Sequence, residues 1–117
     1  MMEKDIGNFG ITRMKSDNDL LDQLIRKFND VISVVDIKPH ITNMRLALSI
    51  VESIYMNFSI KIKDDKKKVI EEKIDVLRKD FQLLLTRPTA EQNNWSNFFD
   101  IITRIKETFR IMREELK

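Results

Sequence analysis

Chemistry in this chain could come from a few clustered carboxylates, one histidine and several runs of cations. Glu71, Glu72 and Asp75 lie within about one and a half turns of a predicted helix, an arrangement that can hold a hard divalent cation. A magnesium-dependent hydrolase built on them would need a second acidic cluster on the following helix. That region supplies only Glu91, Asn94, Asn97 and Asp100, too few carboxylates for the purpose. His40 could act as a general base, but no Ser, Cys or Asp partner stands at a defined spacing, and Arg45 follows it instead of preceding it. Both glycines, Gly7 and Gly10, sit in the first ten residues, so no glycine-rich phosphate loop exists, and cysteine is absent. The expectation is a protein that is not an enzyme, with no metal, no cofactor and no small-molecule substrate.

The cations form two groups. Lys61, Lys63, Lys66, Lys67 and Lys68 crowd one predicted turn, and Lys106, Arg110, Arg113 and Lys117 step along one side of the last predicted helix. If the two groups meet at one end of the fold, Lys66, Lys67, Lys68, Lys106, Arg110, Arg113 and Lys117 become candidate phosphate contacts, with a salt-dependent affinity for nucleic acid. Asp64, Asp65, Glu114 and Glu115 stand among them, and no aromatic residue interleaves with the lysines to stack on bases. A solvated charged surface is the plainer account.

Four helices would have to position these groups. Residues 1–16 show no helical period and are expected to form an N-terminal arm, with Ile6, Phe9 and Ile11 free to dock on the bundle or on a neighbour. The domain proper is expected over 17–117. The first helix is predicted from about Asp17 to Val35, with Leu21, Leu24, Phe28, Val31 and Val35 on one face. The second is predicted from Pro39, suited to the first helical position, to about Ile62, with Ile41, Met44, Leu48, Val51, Tyr55, Phe58 and Ile62. The third is predicted from about Asp65 to Thr86, with Ile70, Ile74, Leu77, Phe81 and Leu84. Arg87-Pro88 breaks it, and Thr89 with Gln92 forms a capping box for the fourth, predicted from about Ala90 to Leu116. Trp95, Phe98, Ile102, Ile105, Phe109, Met112 and Leu116 mark its inner face.

These seams alternate steps of three and four, and the connections are short, about 3–6 residues. An all-α, antiparallel up-down-up-down four-helix bundle is the simplest fold that satisfies them. The seams carry no charged residue, which argues against a metal centre inside the bundle.

Two outer faces are abnormal for a lone bundle. Between Pro39 and Ile60 the charged residues are Arg45 and Glu52, and the side away from the seam carries Leu46, Ile50, Met56 and Ile60. A helix apolar nearly all round is normally buried. On the third helix Val69, Val76 and Leu83 recur every seven residues beside the main seam. Contiguous exposed patches of this kind usually mark an interface. The seven residues Leu46, Ile50, Met56, Ile60, Val69, Val76 and Leu83 are therefore the expected contact with a protein partner or with a second copy of the chain.

Bulk properties agree with this class. The chain has 117 residues, 42% hydrophobic and 34% charged, and 21 basic against 19 acidic side chains leave a net charge of +2. That is one domain, too apolar for disorder and too nearly neutral for a dedicated nucleic-acid binder. No apolar run is long enough to span a bilayer, and Met1 to Asp5 lack the blocks of a signal peptide, so a cytoplasmic location is expected. The wealth of Ile, Lys, Asp and Asn suits an AT-rich genome, in keeping with a viral or mobile-element origin.

Two partial resemblances accompany this reading. The stretch Ile41-Thr42-Asn43-Met44-Arg45, with Ser49, Ile54-Tyr55 and Ile74-Asp75-Val76-Leu77-Arg78, resembles the small helical subunit of type III CRISPR effector complexes, without that family's acidic-aromatic closing motif. The length and the helix around Leu77-Arg78 are similar to the basic bundle proteins that accompany diversity-generating reverse transcriptases, without their Gly-Gly-Trp ending. Either likeness implies a non-catalytic bundle inside a nucleoprotein machine. The expected function is a helical-bundle interaction protein that self-associates or joins a larger complex through the apolar face of the second helix. An accessory subunit contacting nucleic acid is the alternative.

Overall fold

The computed structural model describes residues 16–86 and 95–117, with side chains described over 19–86 and 98–117. Within them lie four helices: α1 (Ser16–Ile37), α2 (Ile41–Phe58), α3 (Asp64–Leu85) and α4 (Trp95–Glu115). A 3₁₀ turn over Ser59–Lys61 follows α2. The all-α fold is as expected. Most of the predicted arm and the Thr89–Gln92 capping box lie outside the described residues; Ser16, assigned to the arm, instead begins α1.

Helix ends differ from expectation for local reasons. Pro39 does not open α2. His40 has an extended backbone, φ −142° and ψ 135°, and its Nδ1 accepts the N–H of Thr42 at 3.2 Å. A side chain that satisfies an orphan N–H defines a cap, so the helix starts one residue beyond it. The lone histidine thus has a structural use. At the other end Phe58 leaves helical geometry, with φ −126° and ψ 8°. The chain then tightens through the 3₁₀ turn and brings Ile62 back into the core. Asp64 and Asp65 occupy the first turn of α3, where their charge favours the helix dipole, and Lys63 is the cap residue. Thr86 ends α3 by donating its Oγ–H to the carbonyl of Leu83 at 2.8 Å.

Cross-helix pairs give the relative directions. Tyr55 bonds Glu71 while Glu52 bonds Arg78, so the order along α2 is reversed along α3. Lys73 pairs with Glu107 and Asp80 with Arg104, reversing α3 against α4. Phe28 stacks on Phe109 and Asp36 pairs with Lys106, reversing α1 against α4.

The core is built mainly from α2, α3 and α4. Its α2 members are Met44, Ala47, Leu48, Ile50, Val51, Ile54 and Phe58. At 100° per residue these cover an arc of about 160°. The arc is wide because α2 packs on α1, α3 and α4 together. By contrast, among the described side chains of α1 only Phe28 and Val35 are fully buried, with Leu21, Leu24, Ile25, Val31 and Ile32 half-buried against the core.

Candidate interaction surfaces

The apolar face expected on α2 does not survive as one surface. Ile50 is 4% exposed and belongs to the core. Three neighbours pack on α2, and the arc they cover reaches far enough round the helix to take in Ile50. Leu46 remains half-exposed at the edge of the covered arc. Met56 and Ile60 are 78% and 86% exposed, near the end of the helix and on the following turn.

The stripe on α3 stays open along its length. Val69, Val76 and Leu83 are 40%, 47% and 57% exposed. They recur at heptad spacing, so they run almost parallel to the axis for about 21 Å. Val69 and Val76 border a groove of about 310 Å³ between α3 and α4, with Glu72, Lys73, Arg104 and Thr108. Ion pairs bridge the two helices beside it. Lys73 reaches Glu107 at 3.7 Å, and Arg104 meets Asp80 at 2.5 Å and Asp100 at 2.8 Å. Burial works against the Arg104 charge, but Asp80 and then Asp100 outweigh it and push the guanidinium further up. Thr108 is the one fully buried polar side chain among the described residues, and its hydroxyl donates to the carbonyl of Arg104 at 2.8 Å. The Asp100–Arg104 spacing was legible as an i,i+4 pair; its link to Asp80 was not.

The carboxylates considered for magnesium line a second groove, between α2 and α3, of about 590 Å³. Two of the three have other partners: Glu71 accepts from the Tyr55 hydroxyl and Asp75 lies 3.5 Å from Lys79, while the neighbouring Glu52 accepts from Arg78. Among the described residues no group of three or more His, Asp or Glu side chains has the geometry to hold a metal ion.

Tyr55 is pushed up to about 12, first by burial, then by its hydrogen bond to Glu71 and by that residue's negative charge. It is the single tyrosine, so tyrosinate absorbance reports it alone. The neutral phenol is favoured in the folded state, so the unfolded chain releases its proton first. The linked stability is whole below about pH 10 and is lost as pH rises toward 12. Glu71→Gln should lower the titration toward the ordinary value. An unchanged midpoint would remove Glu71 as a cause.

The α2–α3 turn and the last turn of α4 lie toward one end of the bundle, with Lys106 apart from them. Arg113, Leu116 and Lys117 line a small cleft with Ile54 and with Leu21 and Ile25 of α1, placing the end of α4 beside the last turns of α2 and the start of α1. Many of the cations are engaged. Lys106 pairs with Asp36 at 2.8 Å, Arg110 with Glu114 at 3.3 Å and Lys67 with Asp64 at 3.7 Å, while Arg113 lies over the Phe109 ring. Lys66, Lys68 and Lys117 are exposed and join no ion pair among the described residues. Lys106 faces α1 and serves the bundle.

No described helix is long and apolar enough to cross a membrane. No family model, no curated protein and no solved structure matches this chain.

Proposed function

We propose that this chain works as a non-catalytic helical bundle that assembles, with itself or within a larger complex, through the exposed stripe of α3. One observation carries the reading. Val69, Val76 and Leu83 stay open to solvent at heptad spacing beside a fully packed core. The core does not need them, and an exposed seam of this kind is what a further helix covers. The change of place, from α2 to α3, follows from the burial of Ile50.

Val76→Asp is the test. Wild-type protein should sediment above the mass of one chain or co-elute with a defined partner. The variant should keep its helical signal and its melting temperature within a few degrees, because an exposed position away from special features changes stability by only about 0.5 kcal/mol. It should lose the assembly. A folded variant that keeps every association of the wild type would sink the reading.

A second reading is nucleic-acid contact at the basic end. It is supported by the convergence of the α2–α3 turn and the α4 terminus, and by unpaired Lys66, Lys68 and Lys117. Asp64, Asp65, Glu114 and Glu115 at the same end weaken it. RNA or DNA retarded at low salt and released steeply as salt is added is its signature. No retardation at low salt removes it.

A further inference from the structure

The charges beside the α3 stripe select its occupant. Resting on the assembly reading above, we propose that the stripe pairs with the same stripe of a second copy, antiparallel, about a two-fold axis passing by Val76.

At 1.5 Å per residue, Val69 and Leu83 lie about 10.5 Å to either side of Val76. A two-fold axis perpendicular to α3 therefore sets Val76 against its own copy and Val69 against the second copy's Leu83. The flanks follow the same operation. Glu72 and Lys79 lie on one side of the stripe, Lys73 and Asp80 on the other. Glu72 is about 6 Å from the level of Val76 and Lys79 about 4.5 Å on the far side. In an antiparallel pair each flank faces the same flank of the copy with its direction reversed. Glu72 then meets Lys79, and Lys73 meets Asp80, each twice. A parallel, in-register pair would instead set each flank against the opposite one, Glu72 by the copy's Lys73 and Lys79 by its Asp80. Both orders match opposite charges, but Lys73 and Asp80 already hold Glu107 and Arg104 of α4. Only the antiparallel order lets Glu72 and Lys79, which have no cross-helix ion pair among the described residues, meet each other. An isologous contact of this sort closes on itself as a dimer.

Glu72 and Lys79 are exposed and available for it. Asp80 and Lys73 are held at the surface by Arg104 and Glu107 of α4 and keep part of their exposure. Lys79 has only the exposed pair with Asp75 to give up, at 3.5 Å. Met56 and Ile60, the other strongly exposed apolar residues near α3, form no such series.

The test is a charge exchange read by sedimentation over a concentration series. Wild type should be a reversible dimer. Glu72→Lys sets a cation against Lys79 of its copy, and Lys79→Glu sets a carboxylate against Glu72. Each variant alone should dimerise at least tenfold more weakly than wild type, while keeping the wild-type helical signal. An equimolar mixture of the two places opposite charges at both contacts and should recover the dimer. A mixture that stays monomeric, or single variants as dimeric as wild type, overturns the antiparallel pairing. If Val76→Asp still dissociates the wild-type assembly in that case, the assembly reading stands without this geometry. A wild type that stays monomeric at every concentration overturns the pairing with itself.

Discussion

Phe28→Ala should destabilise the fold by about 3–5 kcal/mol, a large fraction of what a domain of this size has. Phe28 is almost fully buried, and its ring stacks on Phe109 with centroids 3.8 Å apart and planes 11° from parallel. That spacing is closer than the offset stacks that aromatic quadrupoles prefer, so the gain is mainly packing and lost water contact. The effect is large because α1 has few other anchors. Val35 is the other fully buried side chain among those described in α1, and the Asp36–Lys106 pair is half-exposed and weak. Urea unfolding followed by helical signal should show the midpoint falling for Phe28→Ala and for Phe109→Ala. The double variant should cost less than the two together, since one cavity serves both losses. A change below about 1 kcal/mol for Phe28→Ala would mean that α1 is held elsewhere.

Ile50→Asp is the second large effect, and it separates core from surface on one helix. Its side chain is enclosed by the packing of α2 against its neighbours. A carboxylate there would be buried without a partner and would either stay protonated or unfold the bundle. The expected loss is about 4 kcal/mol or more, enough to leave little folded protein. Met56→Asp on the same helix should change stability by about 0.5 kcal/mol at most, because its side chain already meets water. Thermal melts of both proteins check this. Equal effects at the two positions would contradict the burial of α2 described above.

Much of the fold was legible because a helix repeats its environment every three or four residues. The seam residues Leu48, Val51, Phe58, Ile70, Leu77, Phe81, Phe98, Ile102, Ile105 and Met112 are all buried, as their spacing required. Helix ends were read less well. The start of α2 depends on a histidine side chain reaching forward to accept the Thr42 N–H, which the Pro39 rule does not anticipate. The candidate surface was half legible. Val69, Val76 and Leu83 were readable as an outer stripe and do lie at the surface, whereas Ile50 looked equivalent to them and is buried.

By itself the sequence determined the helical class, the number of helices over the described residues and the inward seam of each, because period and polarity are properties of a single segment. Tertiary structure alone decided which additional faces were covered. Ile50 and Val76 are both apolar residues beside a seam, but α2 packs on three helices and α3 leaves one flank open. The number of neighbours around a helix depends on how the others pack against it, and no spacing within its own residues records that. The pairs Asp80–Arg104 and Asp36–Lys106 were hidden for the same reason, since each joins charges distant in the chain.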